Sequence, residues 1–174
     1  LQIILGLSMI VPILAQFFYN QIDAGFISSS LVTILFGVLF VLSNLDYDKK
    51  LSLPQAFLLT ALSWLSIAIF GSLPFVFSEV ELSFTDAFFE SMSGITTTGS
   101  TIITNLNETP KAILLWRGML QWLGGIGIIV MAITLMPLMN IGGMQLFVIS
   151  TSNAPEKILP KSKEISIKLI IVYF

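Results

Sequence analysis

Cysteine and histidine are both absent from the chain. Their absence removes disulfides, thiolate nucleophiles, imidazole bases and the commonest transition-metal ligands together. Charge is scarce as well. Lys, Arg, Asp and Glu make up 10% of the 174 residues and hydrophobic residues 55%, whereas soluble globular domains are about 25% charged. Most enzyme chemistries lose their usual residues in such a chain, and water is not its main solvent. The net charge of −2 says little here, because in a membrane protein it is the placement of Lys and Arg in short loops that carries information.

The charges that exist fall between long apolar runs. Residues 1–22, 24–45 and 51–78 contain none, and each run is long enough to cross a bilayer core, which takes about 20 helical residues. A fourth run, 112–155, carries only Arg117, and a fifth begins near residue 165. A signal peptide is the rival reading of 1–22, but the apolar run is too long and no basic start or small-residue cleavage site is visible. The chain begins at Leu1 inside one apolar run and stops at Phe174 inside another, so it reads as part of a longer protein. Lys49 and Lys50 follow the second run, and Lys157, Lys161, Lys163 and Lys168 surround the connection after the fourth. Both loops are therefore expected in the cytoplasm. Asp23, Glu79, Glu81, Asp86, Glu90 and Glu108 lie on the opposite connections. The parity is consistent: a multi-pass protein with its N-terminus inside and residues 79–109 facing outward.

The first two runs predict a helical hairpin turned at 20–25, with the first helix kinked by the interior Pro12. They suggest no chemistry of their own. Ser52-Leu53-Pro54 is a helix start, with serine as N-cap and proline in the first turn, and the third span runs from it towards Pro74. The fourth starts at Thr109-Pro110, and its course to Pro137 is roughly 40 Å, longer than a perpendicular crossing.

Between these spans lies SFTDAFFESMSGITTTGSTIITNLNET, residues 83–109. It is too polar to cross a membrane and too apolar and aromatic for a solvated loop, so it predicts a re-entrant segment. Ser83 with Asp86 resembles a capping box, with Asp replacing the usual Glu or Gln. Phe84, Phe88, Ser91 and Met92 follow the positions of one helix face, and Gly94 is the expected helix stop. About ten residues make a helix of some 15 Å, half a bilayer. Non-helical backbone beyond such a half-helix is tolerated at membrane depth only where it is buried in protein or lines a water-filled cavity.

The residues that follow, Ile95-Thr96-Thr97-Thr98-Gly99-Ser100-Thr101, suit a dehydrated cation. Potassium gives up its hydration shell only where oxygens replace it, and the carbonyls of an extended strand supply them in series, with threonine hydroxyls able to add a ring. Glycine permits dihedrals that a β-branched residue resists, and the short helix would aim the negative end of its dipole at the pore. An ordinary Ser/Thr-rich turn is the competing reading of these residues alone. The order span, half-helix, Thr/Gly strand, span favours a pore loop.

SGITTTGSTII, then WRGMLQWLGGIGIIVMAI, then GGMQLF resemble the first pore-loop repeat of the TrkH-type subunits of bacterial potassium uptake systems, in the Trk/Ktr/HKT superfamily. The resemblance covers nearly the whole chain. The two leading helices match the TrkH branch rather than the KtrB branch, which starts directly with the repeats. It implies an all-α polytopic membrane fold: a leading hairpin over 1–45, an outer-helix/pore-loop/inner-helix repeat over 46–150, and a cytoplasmic connection opening the second of four repeats over 151–174. It also implies potassium transport across the bacterial cytoplasmic membrane, a homodimer, and a cytoplasmic nucleotide-binding regulator of the TrkA type. No cofactor beyond the transported potassium ion and no nucleic-acid partner are expected. Carried over onto this sequence, the selectivity filter is Thr97, Thr98, Gly99, Ser100 and Thr101, flanked by Thr96, with potassium at Thr97, Thr98 and Gly99. Gly99 carries most weight, since in similar plant transporters serine at the matching glycine goes with sodium preference. Val148, Ile149 and Ser150 depart from the arginine and acidic residue usual after GGMQLF, which bears on the cytoplasmic linker and not on the filter.

Arg117 lies about two turns into the fourth span, where an uncompensated charge would cost several kcal/mol. Asp86 and Glu90, one turn apart, are its candidate partners in a pair anchoring the pore helix to the inner helix. Snorkelling to the outer interface is the alternative. Gly124, Gly125 and Gly127 read as close helix packing, Trp116 and Trp122 as interfacial or packing aromatics, and the late lysines as topology signals or anionic-lipid contacts. Three other functions compete: a homotetrameric potassium channel, a membrane enzyme using Asp86 or Glu90 as acid/base, and a scaffold that transports nothing.

Overall fold

The structure, a computed structural model, describes residues 1–20, 23–44, 52–80, 82–135 and 171. Six helices follow in order: α1 Gln2–Ser8, α2 Ile10–Tyr19, α3 Ala24–Leu42, α4 Leu53–Phe77, α5 Phe84–Ile95 and α6 Lys111–Leu135. The described residues hold no strand. Gln2–Tyr19, Ala24–Leu42, Pro54–Phe77 and Lys111–Met131 are each long and apolar enough to cross a membrane. The fifth apolar run apart from Ile171, the expected end of the fourth span at Pro137, the GGMQLF motif and the lysines that set orientation lie outside the described residues.

The first span is broken into α1 and α2 at Met9, one turn before the kink expected at Pro12. Proline has no N–H for the carbonyl four residues back and its ring crowds that carbonyl, so the disturbance falls on the preceding turn. α1 packs against α3 backbone to backbone. A Cβ on Gly6 would stand 2.6 Å from Ile34 Cγ1, and one on Gly37 would stand 2.9 Å from Ile3 N.

Ser52 opens α4, with its N–H donating to Gln55 Oε1 at 2.9 Å. The helix passes through Pro74, where the sequence suggested it would stop, and ends at Phe77. There the α2–α3 turn locks onto it. Asp23 caps α3 by accepting the Gly25 N–H at 2.8 Å and also accepts the Glu79 N–H at 3.2 Å. A side chain at Gly25 would meet the Phe77 carbonyl oxygen at 2.6 Å. At α6 the Thr109 hydroxyl does not cap forward. It donates back to the Asn105 carbonyl at 2.9 Å, and the helix starts after Pro110, at Lys111.

Between α4 and α6 lies α5, 12 residues long, or roughly 18 Å. Its buried residues are Ala87, Glu90, Ser91, Ser93, Gly94 and Ile95, so small and polar side chains face the bundle, as in helix packing within lipid. Phe84 and Phe88 do share a face, with ring centroids 6.4 Å apart. The expected face is not uniformly placed: Phe84 is exposed, Phe88 and Met92 are half-buried and Ser91 is fully buried. The bundle core is Leu5, Met9, Phe26, Phe75, Ala87, Ala112, Ile113, Trp116 and Leu120.

Candidate ion-coordinating strand

The short helix starts at Ser83 as its sequence predicts, with one half of the expected capping box formed. Ser83 Oγ accepts the Asp86 N–H at 3.2 Å and donates to Asp86 Oδ2 at 2.7 Å. It ends differently. Gly94 lies inside the helix, where a Cβ would come within 2.9 Å of Leu120 Cβ, so this glycine serves close packing. Termination falls three residues later on Thr97, at φ 59°. The Thr97 N–H donates to the Gly94 carbonyl at 2.9 Å and the Thr98 N–H to the Ser93 carbonyl at 3.0 Å, the bond pair that closes a helix through a left-handed residue. Glycine or asparagine is usual there, and for a β-branched residue the conformation costs of order 1–3 kcal/mol.

Gly99 follows with φ 78°, so positive φ at positions 97 and 99 alternates with negative φ at 98 and 100. One turn of α5 holds the strand from behind. The Ser93 carbonyl accepts the N–H groups of both Thr98 and Gly99, at 3.0 and 3.3 Å, and the Ser93 hydroxyl donates to the Ser100 carbonyl at 2.6 Å. Glu90 Oε1 accepts from the Thr101 hydroxyl and from the Ile102 N–H at 2.7 Å. The Thr96 hydroxyl donates to the Met92 carbonyl at 2.8 Å. Its one hydrogen is thereby used, so the 2.9 Å contact between Thr96 and Thr98 Oγ1 atoms has Thr98 as donor. Among the described residues, no donor falls on the carbonyl oxygens of Thr97, Thr98 and Gly99. Residues 96–100 are exposed in this chain.

Arg117 finds Glu90. Its Nε donates to Glu90 Oε2 at 2.8 Å, with Arg117 17% exposed and the carboxylate fully buried. Asp86, the other candidate, is engaged with Ser83 instead. Asp86 and Glu90 therefore serve separate neighbourhoods. α6 seals against the same helix: a Cβ on Gly124 would sit 1.9 Å from the Ile95 carbonyl oxygen. Trp116 is fully buried, donating from Nε1 to the Gly71 carbonyl at 2.9 Å, so it packs rather than caging a ligand.

The TrkH family model, described as a cation transport protein, matches residues 23–174. The chain belongs to the TrkH family. Over 174 residues it is 38% identical to the Trk system potassium uptake protein TrkI of Halomonas elongata, covering 99% of this chain and 35% of that one. It is 43% identical over 143 residues to the Trk system potassium uptake protein TrkH of Escherichia coli K12, covering 80% of this chain and 29% of that one. The crystal structure of the potassium transporter TrkH from Vibrio parahaemolyticus superposes with a TM-score of 0.79 at 33% identity, over 99% of this chain and 34% of that one. This TrkH-family chain is thus a helical, multi-pass membrane protein that spans about a third of the length of these relatives.

In the TrkH-family chain, sequence reasoning missed three atoms of α5 that hold the strand: the Ser93 carbonyl and hydroxyl oxygens and the second oxygen of Glu90. A signal for Glu90 was present, since an ionisable residue on a half-buried membrane helix needs a partner. Ser93 carried none, because its role rests on a backbone turn.

Proposed function

We propose that this chain builds one of four walls around a potassium pathway, with Thr97, Thr98, Gly99, Ser100 and Thr101 as the filter strand and Thr96 at its flank. The observation that carries the reading is the strand bonded on one side by α5, with the carbonyls of Thr97, Thr98 and Gly99 without donors among the described residues. Backbone carbonyls at membrane depth demand partners, and a dehydrated potassium ion is one. Alternating signs of φ turn successive peptide planes towards a common side, which an ordinary extended strand does not do. The Ser100 carbonyl is taken by Ser93, so potassium is assigned to Thr97, Thr98 and Gly99. The C-terminal end of α5, negative by its dipole, faces the same strand and favours a cation.

The relatives' names support potassium as the ion. The proposal includes the bacterial cytoplasmic membrane, an inward N-terminus, an outward-facing pore loop, and the division into hairpin, first repeat and connection at residues 45 and 150. It also includes a homodimer and a nucleotide-binding regulator of the TrkA type. The activity is ion passage, with no catalytic residue and no cofactor.

The test is rubidium-86 uptake with sodium competition by the full-length protein, regulator supplied, in cells lacking their own potassium uptake systems. Uptake that resists sodium, with Gly99→Ser losing that resistance, supports the filter. Serine at φ 78° is strained and its side chain heads towards Gln121 Nε2, 3.2 Å from the Cβ position. Absence of uptake by well-expressed wild type, or identical selectivity in Gly99→Ser, refutes it.

A further inference from the structure

We infer that Glu90 is a positioning residue that fixes the far end of the filter strand and thereby sets discrimination between potassium and sodium. The inference rests on the potassium filter proposed above. It goes beyond an ion pair that anchors two helices, because Arg117 occupies one carboxylate oxygen and the strand occupies the other. Glu90 is 1% exposed and meets three donors: Arg117 Nε on Oε2, and the Thr101 hydroxyl and Ile102 N–H on Oε1. With both oxygens engaged, the carboxylate is not an ion ligand.

Glu90 and Ser93 are one turn apart, so a single turn of α5 bonds residues 98, 99, 100, 101 and 102 in succession. Ser93 fixes Thr98 and Gly99 through its backbone carbonyl, which no side-chain change removes, and Ser100 through its hydroxyl. The far end depends on one carboxylate. Whether selectivity arises from cavity size or from the number and field strength of carbonyl dipoles, it depends on where the carbonyls are held. Releasing Thr101 and Ile102 frees the strand to adjust to a smaller ion.

Glutamine at position 90 keeps size and shape but presents one acceptor oxygen and one NH2 donor. Whichever way the amide turns, either the strand donors or Arg117 faces another donor. The experiment uses the full-length protein in the sodium-competition assay, comparing wild type, Glu90→Gln, Thr101→Val and Asp86→Asn, with each variant's membrane content measured. For Glu90→Gln, sodium should inhibit rubidium uptake at about tenfold lower concentration than in wild type, the loss of one charge-assisted hydrogen bond. Thr101→Val, which removes one donor and leaves the arginine pair intact, should shift in the same direction and less. Asp86→Asn, on the same helix but bonded to Ser83, should match wild type.

Lower total uptake at unchanged sodium resistance in Glu90→Gln would reduce Glu90 to a helix anchor and overturn the inference, as would an equal shift in Asp86→Asn. Where Glu90→Gln does not accumulate in the membrane, Thr101→Val decides: a shift supports the inference and wild-type resistance overturns it. Absence of sodium resistance in wild type is a different failure, since it removes the potassium filter and the inference with it.

Discussion

The leading hairpin and the helix–strand–helix unit after it are both built by helices packing through glycine, yet the hydroxyls of α3 and the polar atoms that hold the strand after α5 are used differently. In α3 most hydroxyls serve their own helix: Ser29 donates to the Gly25 carbonyl at 2.6 Å and Thr33 to the Ser29 carbonyl at 2.7 Å. These are back-bonds of the kind that hide a hydroxyl in lipid. Only Ser30 crosses to the facing helix within the hairpin's described residues, reaching the Gly6 carbonyl at 2.8 Å. In the helix–strand–helix unit polar atoms bridge separate segments: Glu90 joins α5, α6 and the strand, and Trp116 joins α6 to α4. The difference follows from the backbone. A helix satisfies its own N–H and C=O groups and needs only a close fit, whereas the non-helical strand must be bonded from outside.

The comparison breaks most sharply at Gly124. Gly124→Val places a side chain where a Cβ already stands 1.9 Å from a carbonyl oxygen, so the destabilisation should exceed the roughly 1–3 kcal/mol of ordinary overpacking. Little folded protein should survive extraction, as read by size-exclusion chromatography in detergent. Arg117→Gln comes next. Removing one partner of a buried pair costs about 3–5 kcal/mol, and the partial exposure of Arg117 places the effect at the lower end. Reduced membrane yield and uptake are expected, and unchanged values for both would remove the pair as an anchor. Gly37→Ala should be mildest, about 1–3 kcal/mol, because the hairpin has only to separate slightly. Thermal stability should fall while rubidium selectivity stays at the wild-type value. Altered selectivity in Gly37→Ala would erase the distinction between the two regions.

Much of this architecture was legible in the residues. Uninterrupted apolar runs give the spans, and the Ser83 cap is local chemistry that needs no tertiary context. The end of α5 was not legible. Gly94 is the residue that helix-stop rules select, but packing against Leu120 uses it inside the helix and the turn passes to a threonine. Arg117 called for a carboxylate, and two stood one turn apart. The choice of Glu90 follows from Asp86 being engaged at the Ser83 cap, which spacing alone does not decide. The periodicity of Phe84, Phe88, Ser91 and Met92 was visible, but the four do not share one environment, since Phe84 is exposed and Ser91 fully buried.

An ion pathway can lose its discrimination in two ways: its filter admits the wrong ion, or a crack beside the filter admits any ion. Gly124 answers the second. At this seam α6 approaches the Ile95 carbonyl so closely that not even one added carbon fits. On the pathway proposed above, this contact would close the space between α6 and the end of α5 at the Ile95 carbonyl and leave the front of the strand as the route. The residue that contributes no side chain is, in this sense, the gasket.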